Sequence, residues 1–237
     1  MVDISSLRRF GRYARFSTDD PSARYVVLSF WIILIIVVFP YFVNGTFGLF
    51  LFSLLVSFVL ISAVLSITGR SKFAVLALIL IIPALVLSWI YFILGSDQIH
   101  ILSTFLTMIA LALVTFSIFL EVVRSKSPIP RHIIWGAIAV YLLIGISFAS
   151  LYHLTYLITP GSFYYGVDPG AILSFSDFVY FSFVTLATLG YGDIVPMTAQ
   201  ARSFAILEAI TGALYLAVLI AKIVSLTITT SVDKKSG

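Results

Sequence analysis

The residues in this chain best suited to do chemistry are Thr185-Leu186-Ala187-Thr188-Leu189-Gly190-Tyr191-Gly192-Asp193. Gly190 and Gly192 lack a Cβ and can take backbone angles closed to other residues. A loop built this way can turn consecutive carbonyl oxygens to one side. Rings of such oxygens replace the water shell of a cation in a narrow pore. Thr188 adds a hydroxyl oxygen at the inner end, Tyr191 can pack outward to brace the loop, and Asp193 places an acid at the outer end. This chemistry is coordination, with no bond made or broken. The chain carries no nucleophile elbow, metal-ligand cluster or phosphate loop, which argues against an enzyme, against a cofactor and against a nucleic-acid partner.

The flanking segments are those such a loop needs. Ser174-Phe175-Ser176-Asp177 followed by residues 178–187 reads as a short helix, with serines available as N-cap, an acid in the first turn and an apolar body. The C-terminal end of that helix carries roughly half a negative charge, which suits a cation resting near mid-membrane. Ile194-Val195-Pro196 ends the extended stretch, and an apolar helix runs from about residue 202 to 228. The pattern T-x-x-T-x-G-Y-G-D, matched at every fixed position, resembles the selectivity filter of the potassium channel superfamily. The resemblance implies that Thr188, Leu189, Gly190, Tyr191 and Gly192 coordinate potassium as the permeant ligand, supported by Thr185 and Asp193. One loop per chain cannot surround an ion, since the carbonyl ring needs four, so a homotetramer is expected.

Hydrophobic residues make up 61% of the 237 and charged ones 10%, a composition that a soluble surface does not tolerate. A spanning helix needs about 20 apolar residues. Six segments qualify, near 25–43, 47–67, 73–94, 101–123, 133–157 and 204–228. The expected fold is an all-α membrane protein with six transmembrane helices plus a re-entrant pore helix and filter loop, assembled as a tetramer. Arg8, Arg9, Arg12, Arg15, Arg24, Arg70, Lys72, Arg124, Lys126, Arg131, Lys234 and Lys235 fall on one side of such a chain. The positive-inside rule makes that side the cytoplasm of a cell membrane, with both termini there. Asp97, Asp168, Asp177 and Asp193 fall on the other side, where they either draw cations or simply avoid the cytoplasm.

The organisation expected is a basic arm at 1–24, a four-helix domain at 25–124, a linker at 125–132, a pore domain at 133–228 and a short tail at 229–237. In voltage-gated relatives the fourth span carries a base at every third position, because moving a charge through the field does the work of gating. Residues 101–116 hold none, so conventional voltage sensing is not expected. The four-helix domain is a lipid-facing scaffold or a sensor for lipid, tension or a partner. The arm either lies on anionic lipid headgroups, at about 1 kcal/mol per base, or serves as a topology signal alone. The tail is too short for a nucleotide- or calcium-binding domain, so gating is expected within the membrane, at the filter or on the arms.

On the last span, Gly212 occupies the position of the inner-helix glycine of related channels, either a gating hinge or a point of close helix contact. Ala213, Leu216, Ile220 and Val224 share one face and should line the cavity, an apolar lining that permits closure by dewetting. Glu208 is the acid expected inside the bilayer, aimed at the back of the pore helix towards Thr185, Ser182 or Tyr180 and supporting the filter. Related small channels often place an acid on the pore helix to bond the filter-end aspartate. Val184 stands there in this chain, and Glu208 is a candidate to compensate. Leu189 replaces the commoner valine, although its carbonyl can still coordinate. His100, His132 and His153 are expected near the membrane surfaces, and Tyr152, Tyr156, Phe163, Tyr164 and Tyr165 in the outer aromatic belt. A poorly selective cation channel and a non-conducting regulatory subunit remain as alternatives.

Overall fold

The computed structural model describes residues 21–42, 45–66, 72–125, 131–168, 170 and 172–233. Helix α1 (Pro21–Val38) tightens into a 3-10 turn (Phe39–Phe42), and α2 (Gly45–Ser66), α3 (Lys72–Leu94), α4 (Asp97–Arg124) and α5 (Arg131–Ile158) follow. The remainder is strand β1 (Phe163–Tyr165), α6 (Phe175–Leu186), strand β2 (Ile194–Pro196) and α7 (Ala199–Asp233). Helices dominate because runs of Leu, Ile, Val and Phe in a bilayer must satisfy every backbone group within the segment. Four helical stretches are long and apolar enough to cross a membrane: Val75–Leu94, Asp97–Arg124, His132–Ile158 and Ala199–Lys222. The apolar stretches Ser22–Val38 and Phe50–Ser66 are shorter. The chain is thus a multi-pass, all-α membrane protein, with four full-length spans among the described residues against the six expected. The bases of the N-terminal arm up to Arg15, Arg70, Lys126, Lys234, Lys235 and the side chains of Lys72, Arg131 and Val224 lie outside what is described.

The first four helices and α5 share one core. α3 packs on α4, α4 on α5 and α1 on α5, around Leu28, Ile32, Leu60, Leu111 and Leu143, all fully or almost fully buried. A second apolar cluster of Tyr152, Phe163, Leu173, Phe178, Phe181 and Ile194 includes residues of the two-stranded antiparallel β1–β2 sheet. α7 is covered on one side only, and Ile206, Leu207, Ile210, Leu214, Leu216, Val218 and Ile220 are exposed in the single chain.

Two polar contacts cross the helices at one end of this assembly. The Tyr25 hydroxyl donates to Glu121 Oε2 at 3.0 Å, joining α1 to α4. Lys222 of α7 donates through Nζ to the carbonyls of Val122, at 2.5 Å, and Val123. These are last-turn carbonyls of α4, which lack intrahelical partners and sit at the negative end of the helix dipole. Lys222→Met should therefore cost about 1 kcal/mol. A melting temperature lowered by about 2–4 °C in detergent is the expected readout.

Candidate functional site

The loop after α6 has an alternating backbone. Thr188 (φ +59°), Gly190 (φ +57°) and Gly192 (φ +77°) are left-handed, whereas Leu189 and Tyr191 between them are not. Alternation of hand turns successive N–H groups to one side of the chain and successive carbonyls to the other. Among the described residues Thr188 is the one non-glycine with positive φ. A β-branched residue there is a genuine outlier, and such strain, of order 1–3 kcal/mol, persists only where the surroundings hold it. They do so through α6: the Thr188 N–H donates to the Thr185 carbonyl and the Leu189 N–H to the Val184 carbonyl, both at 2.9 Å. Thr185 thus supports the loop with its backbone carbonyl.

At the start of α6, Asp177 Oδ2 accepts from the backbone N–H and the hydroxyl of Ser174, each at 2.7 Å. The serine–acid signature seen in the sequence acts here as a reciprocal cap. At the outer end of the loop, Asp193 Oδ2 accepts from the Tyr180 hydroxyl at 2.6 Å and Oδ1 from the Ile194 N–H at 3.0 Å. Its carbonyl accepts from the Gly166 N–H at 2.7 Å, beside the antiparallel pairing of β1 with β2 (Tyr165 opposite Ile194). Tyr180 therefore bonds the filter-end aspartate, the task for which Glu208 was a candidate. Tyr180→Phe should free the Asp193 carboxylate and loosen the outer end of the loop. The expected result is a several-fold fall in the ratio of potassium to sodium flux in proteoliposomes, with assembly unchanged.

Glu208 is fully buried in α7. Its Oε1 lies 2.5 Å from Ser182 Oγ of α6 and its Oε2 2.5 Å from the Tyr152 hydroxyl of α5. Ser182 was among the partners expected; Thr185 and Tyr180 act elsewhere. Tyr152 is not in an interfacial belt: it is fully buried between Phe163 and Phe181. Its position near the end of a mostly apolar helix hides the face on which it lies. Two glycines set how close the helices come. A Cβ on Gly212 of α7 would lie 2.5 Å from the Leu186 carbonyl, and one on Gly145 of α5 would lie 2.5 Å from the Phe183 ring. α6 is therefore seated between two glycines. His153 is buried and packs on Phe175, Phe178 and His100 rather than lying at the surface. Among the described residues no three His, Asp or Glu side chains gather into a metal site.

Residues 151–229 match the family described as ion channel. Two-pore potassium channel 5 of Arabidopsis thaliana is 31% identical over 105 residues, 43% of this chain and 23% of that protein. Two-pore potassium channel 4 of the same plant is 38% identical over 76 residues, 32% of this chain and 27% of that protein. Two pore potassium channel c of Oryza sativa subsp. japonica is 35% identical over 85 residues, covering 36% and 17%. Over residues 151–229 the chain is thus similar to ion channels, and over part of its length to potassium channels; the matched family is one of ion channels and not of enzymes. The chain spans about a quarter or less of the length of these relatives. No solved structure matches it.

The matched segment contains Tyr152, Ser182, the loop, Glu208 and Gly212, while α1 to α4 lie outside it. In the loop the side chains of Leu189, 58% exposed, and Tyr191, 67% exposed, point away from the core. Among the described residues no hydrogen bond or ring contact holds the Tyr191 side chain. Ala213, Leu216 and Ile220 are exposed along α7, and the side chain of Val224 is outside the described set. Gly145 and Tyr152 are the site residues that sequence reasoning missed. Their signal is weak, because α5 is apolar all round and its faces are not distinguished by pattern.

Proposed function

We propose that the chain is a potassium-selective channel that conducts passively through a tetrameric pore, with the carbonyls of residues 188–192 as ion ligands. The observation that carries this reading is the alternating hand of Thr188, Gly190 and Gly192 directly after a helix whose negative end faces the loop. At Thr188 the left-handed turn also closes α6, since the N–H groups of Thr188 and Leu189 satisfy the carbonyls of Thr185 and Val184; the coordinating role rests on the repeat of that hand at Gly190 and Gly192. Four copies follow from one loop per chain. The uncovered Leu189 and Tyr191, and an open hollow of 560 Å³ beside Leu189, support a neighbouring copy at this surface.

In this reading the chain crosses a cell membrane six times with both termini in the cytoplasm, and the pore domain begins after the linker at 125–132. Ala213, Leu216, Ile220 and Val224 line the cavity, and α4, without a base in its body until Arg124, leaves the channel without conventional voltage gating. Gly212 acts by close contact with Leu186 rather than as a hinge. The test is native mass spectrometry of the purified protein together with potassium efflux from liposomes. A tetramer that releases potassium supports the proposal. A tetramer silent in every lipid and pH tried points to a regulatory subunit, and a monomer overturns it.

A further inference from the structure

Three short oxygen–oxygen contacts meet behind the filter. Glu208 Oε1 lies 2.5 Å from Ser182 Oγ, Ser182 Oγ lies 2.7 Å from the Gly145 carbonyl oxygen, and Glu208 Oε2 lies 2.5 Å from the Tyr152 hydroxyl. A hydroxyl brings one proton, a carbonyl none and an ionised carboxylate none. With Glu208 ionised, two protons would have to serve three contacts. The Ser182 proton could point to Glu208 or to Gly145, and the other contact would press lone pairs together within 2.7 Å. One further proton on Oε1 closes the set: Glu208 donates to Ser182, Ser182 donates to the Gly145 carbonyl, and Tyr152 donates to Oε2. Burial argues the same way, since a buried charge needs a partner of opposite sign. Among the described residues the groups acting on Glu208 are Ser182 and Tyr152, with no cation.

We propose that Glu208 is a neutral carboxylic acid whose proton completes a relay from α7 through Ser182 of α6 to Gly145 of α5, and that this relay is a positioning device for the filter. The proposal deepens the reading of residues 188–192 as a filter by assigning the chemical state of the group behind it. Ser182 and Leu186 are four residues apart on α6, and Glu208 and Gly212 four apart on α7, so each pair lies on one helix face. The acid and the glycine are therefore neighbouring rungs of a single α6–α7 contact. Ser182 forms the upper rung and Leu186, whose carbonyl touches Gly212, the lower. Thr188 opens the strained loop two residues later. A shift in the upper rung moves the carbonyls of the last turn of α6, on which Thr188 and Leu189 are folded.

The direct test is infrared difference spectroscopy on the purified full chain at neutral pH, wild type against Glu208→Gln. The proposal predicts a carbonyl stretch of a protonated carboxylic acid that is present in the wild type and lost in the variant. Ser182→Ala should shift that band upward in frequency, because it removes the acceptor of the acid proton. A difference spectrum showing only ionised carboxylate overturns the proposal. This readout needs folded protein and no conduction, so it stands apart from the question of whether the chain passes potassium. The functional arm compares Glu208→Leu with Glu208→Gln, whose amide donates to Ser182 and accepts from Tyr152 as the neutral acid does. Potassium-to-sodium flux selectivity should be lost in the leucine variant and recovered by glutamine by about tenfold, the scale of one unsatisfied buried group. A glutamine variant as damaged as the leucine one counts against the proposal. Wild-type protein that passes no potassium counts against the channel reading and leaves the spectrum to decide this one.

Discussion

Gly190→Val is expected to abolish potassium flux in proteoliposomes, down to the level of protein-free vesicles. Gly190 sits at φ +57°. A side chain there costs roughly 1–2 kcal/mol in left-handed backbone, and more for a β-branched one. Among the described residues of the single chain no atom lies within 4 Å of the place its Cβ would take, so the penalty is conformational. In a tetramer it is incurred in each of the copies that build the ring, on the order of 4–8 kcal/mol in all. The loop can escape by flipping the peptide and turning a carbonyl out of the ring, which removes a coordination site. Folding and assembly should survive, because the loop lies outside both apolar cores. Retained flux in a properly assembled variant would mean that the carbonyls of this loop are not the ion ligands.

Gly212→Val is expected to fail earlier, at assembly. Its Cβ would fall 2.5 Å from the Leu186 carbonyl oxygen and 2.9 Å from a Leu186 methyl carbon, and backbone cannot move aside as a flexible side chain can. Overpacking of this kind costs typically about 1–3 kcal/mol per site. Pushing Leu186 away also displaces the turn to which Thr188 and Leu189 are bonded. Gly212→Ala carries the same Cβ and should lower the melting temperature and the tetramer yield by a smaller amount. Size-exclusion and thermal melts of both variants check this. An alanine variant of unchanged stability whose openings become rarer would instead make Gly212 a hinge.

The motif read as a filter falls on the loop of alternating hand, with left-handed backbone at Thr188, Gly190 and Gly192 and Asp193 at its outer end, because such a loop demands fixed residues at fixed spacing. The short helix before it was legible too, through Ser174 and Asp177, although the helix begins at Phe175 and the final helix extends from Ala199 to Asp233, past the expected bounds. Glu208 stood out as an ionisable residue in an apolar span, and Ser182 was within its expected reach. Tyr152 and Gly145 were not legible. Both lie on α5, a helix apolar on every side, where neither periodicity nor polarity marks the face turned to the pore helix. Tyr180 was matched to the wrong carboxylate, because its partner depends on the pairing of two three-residue strands far apart in the chain, which leaves little trace in pattern. The first span was read as running unbroken to residue 43, yet its α-helix ends at Val38 in a 3-10 turn that contains Pro40, in keeping with the loss of a backbone donor at proline.

The most direct measurement of the central claim is the reversal potential of purified protein in a planar bilayer with potassium on one side and sodium on the other. A strongly shifted potential, of the sign set by potassium leaving its own side, is the predicted result. A reversal near zero, with current carried equally by both ions, would contradict a potassium-selective pore lined by the carbonyls of residues 188–192.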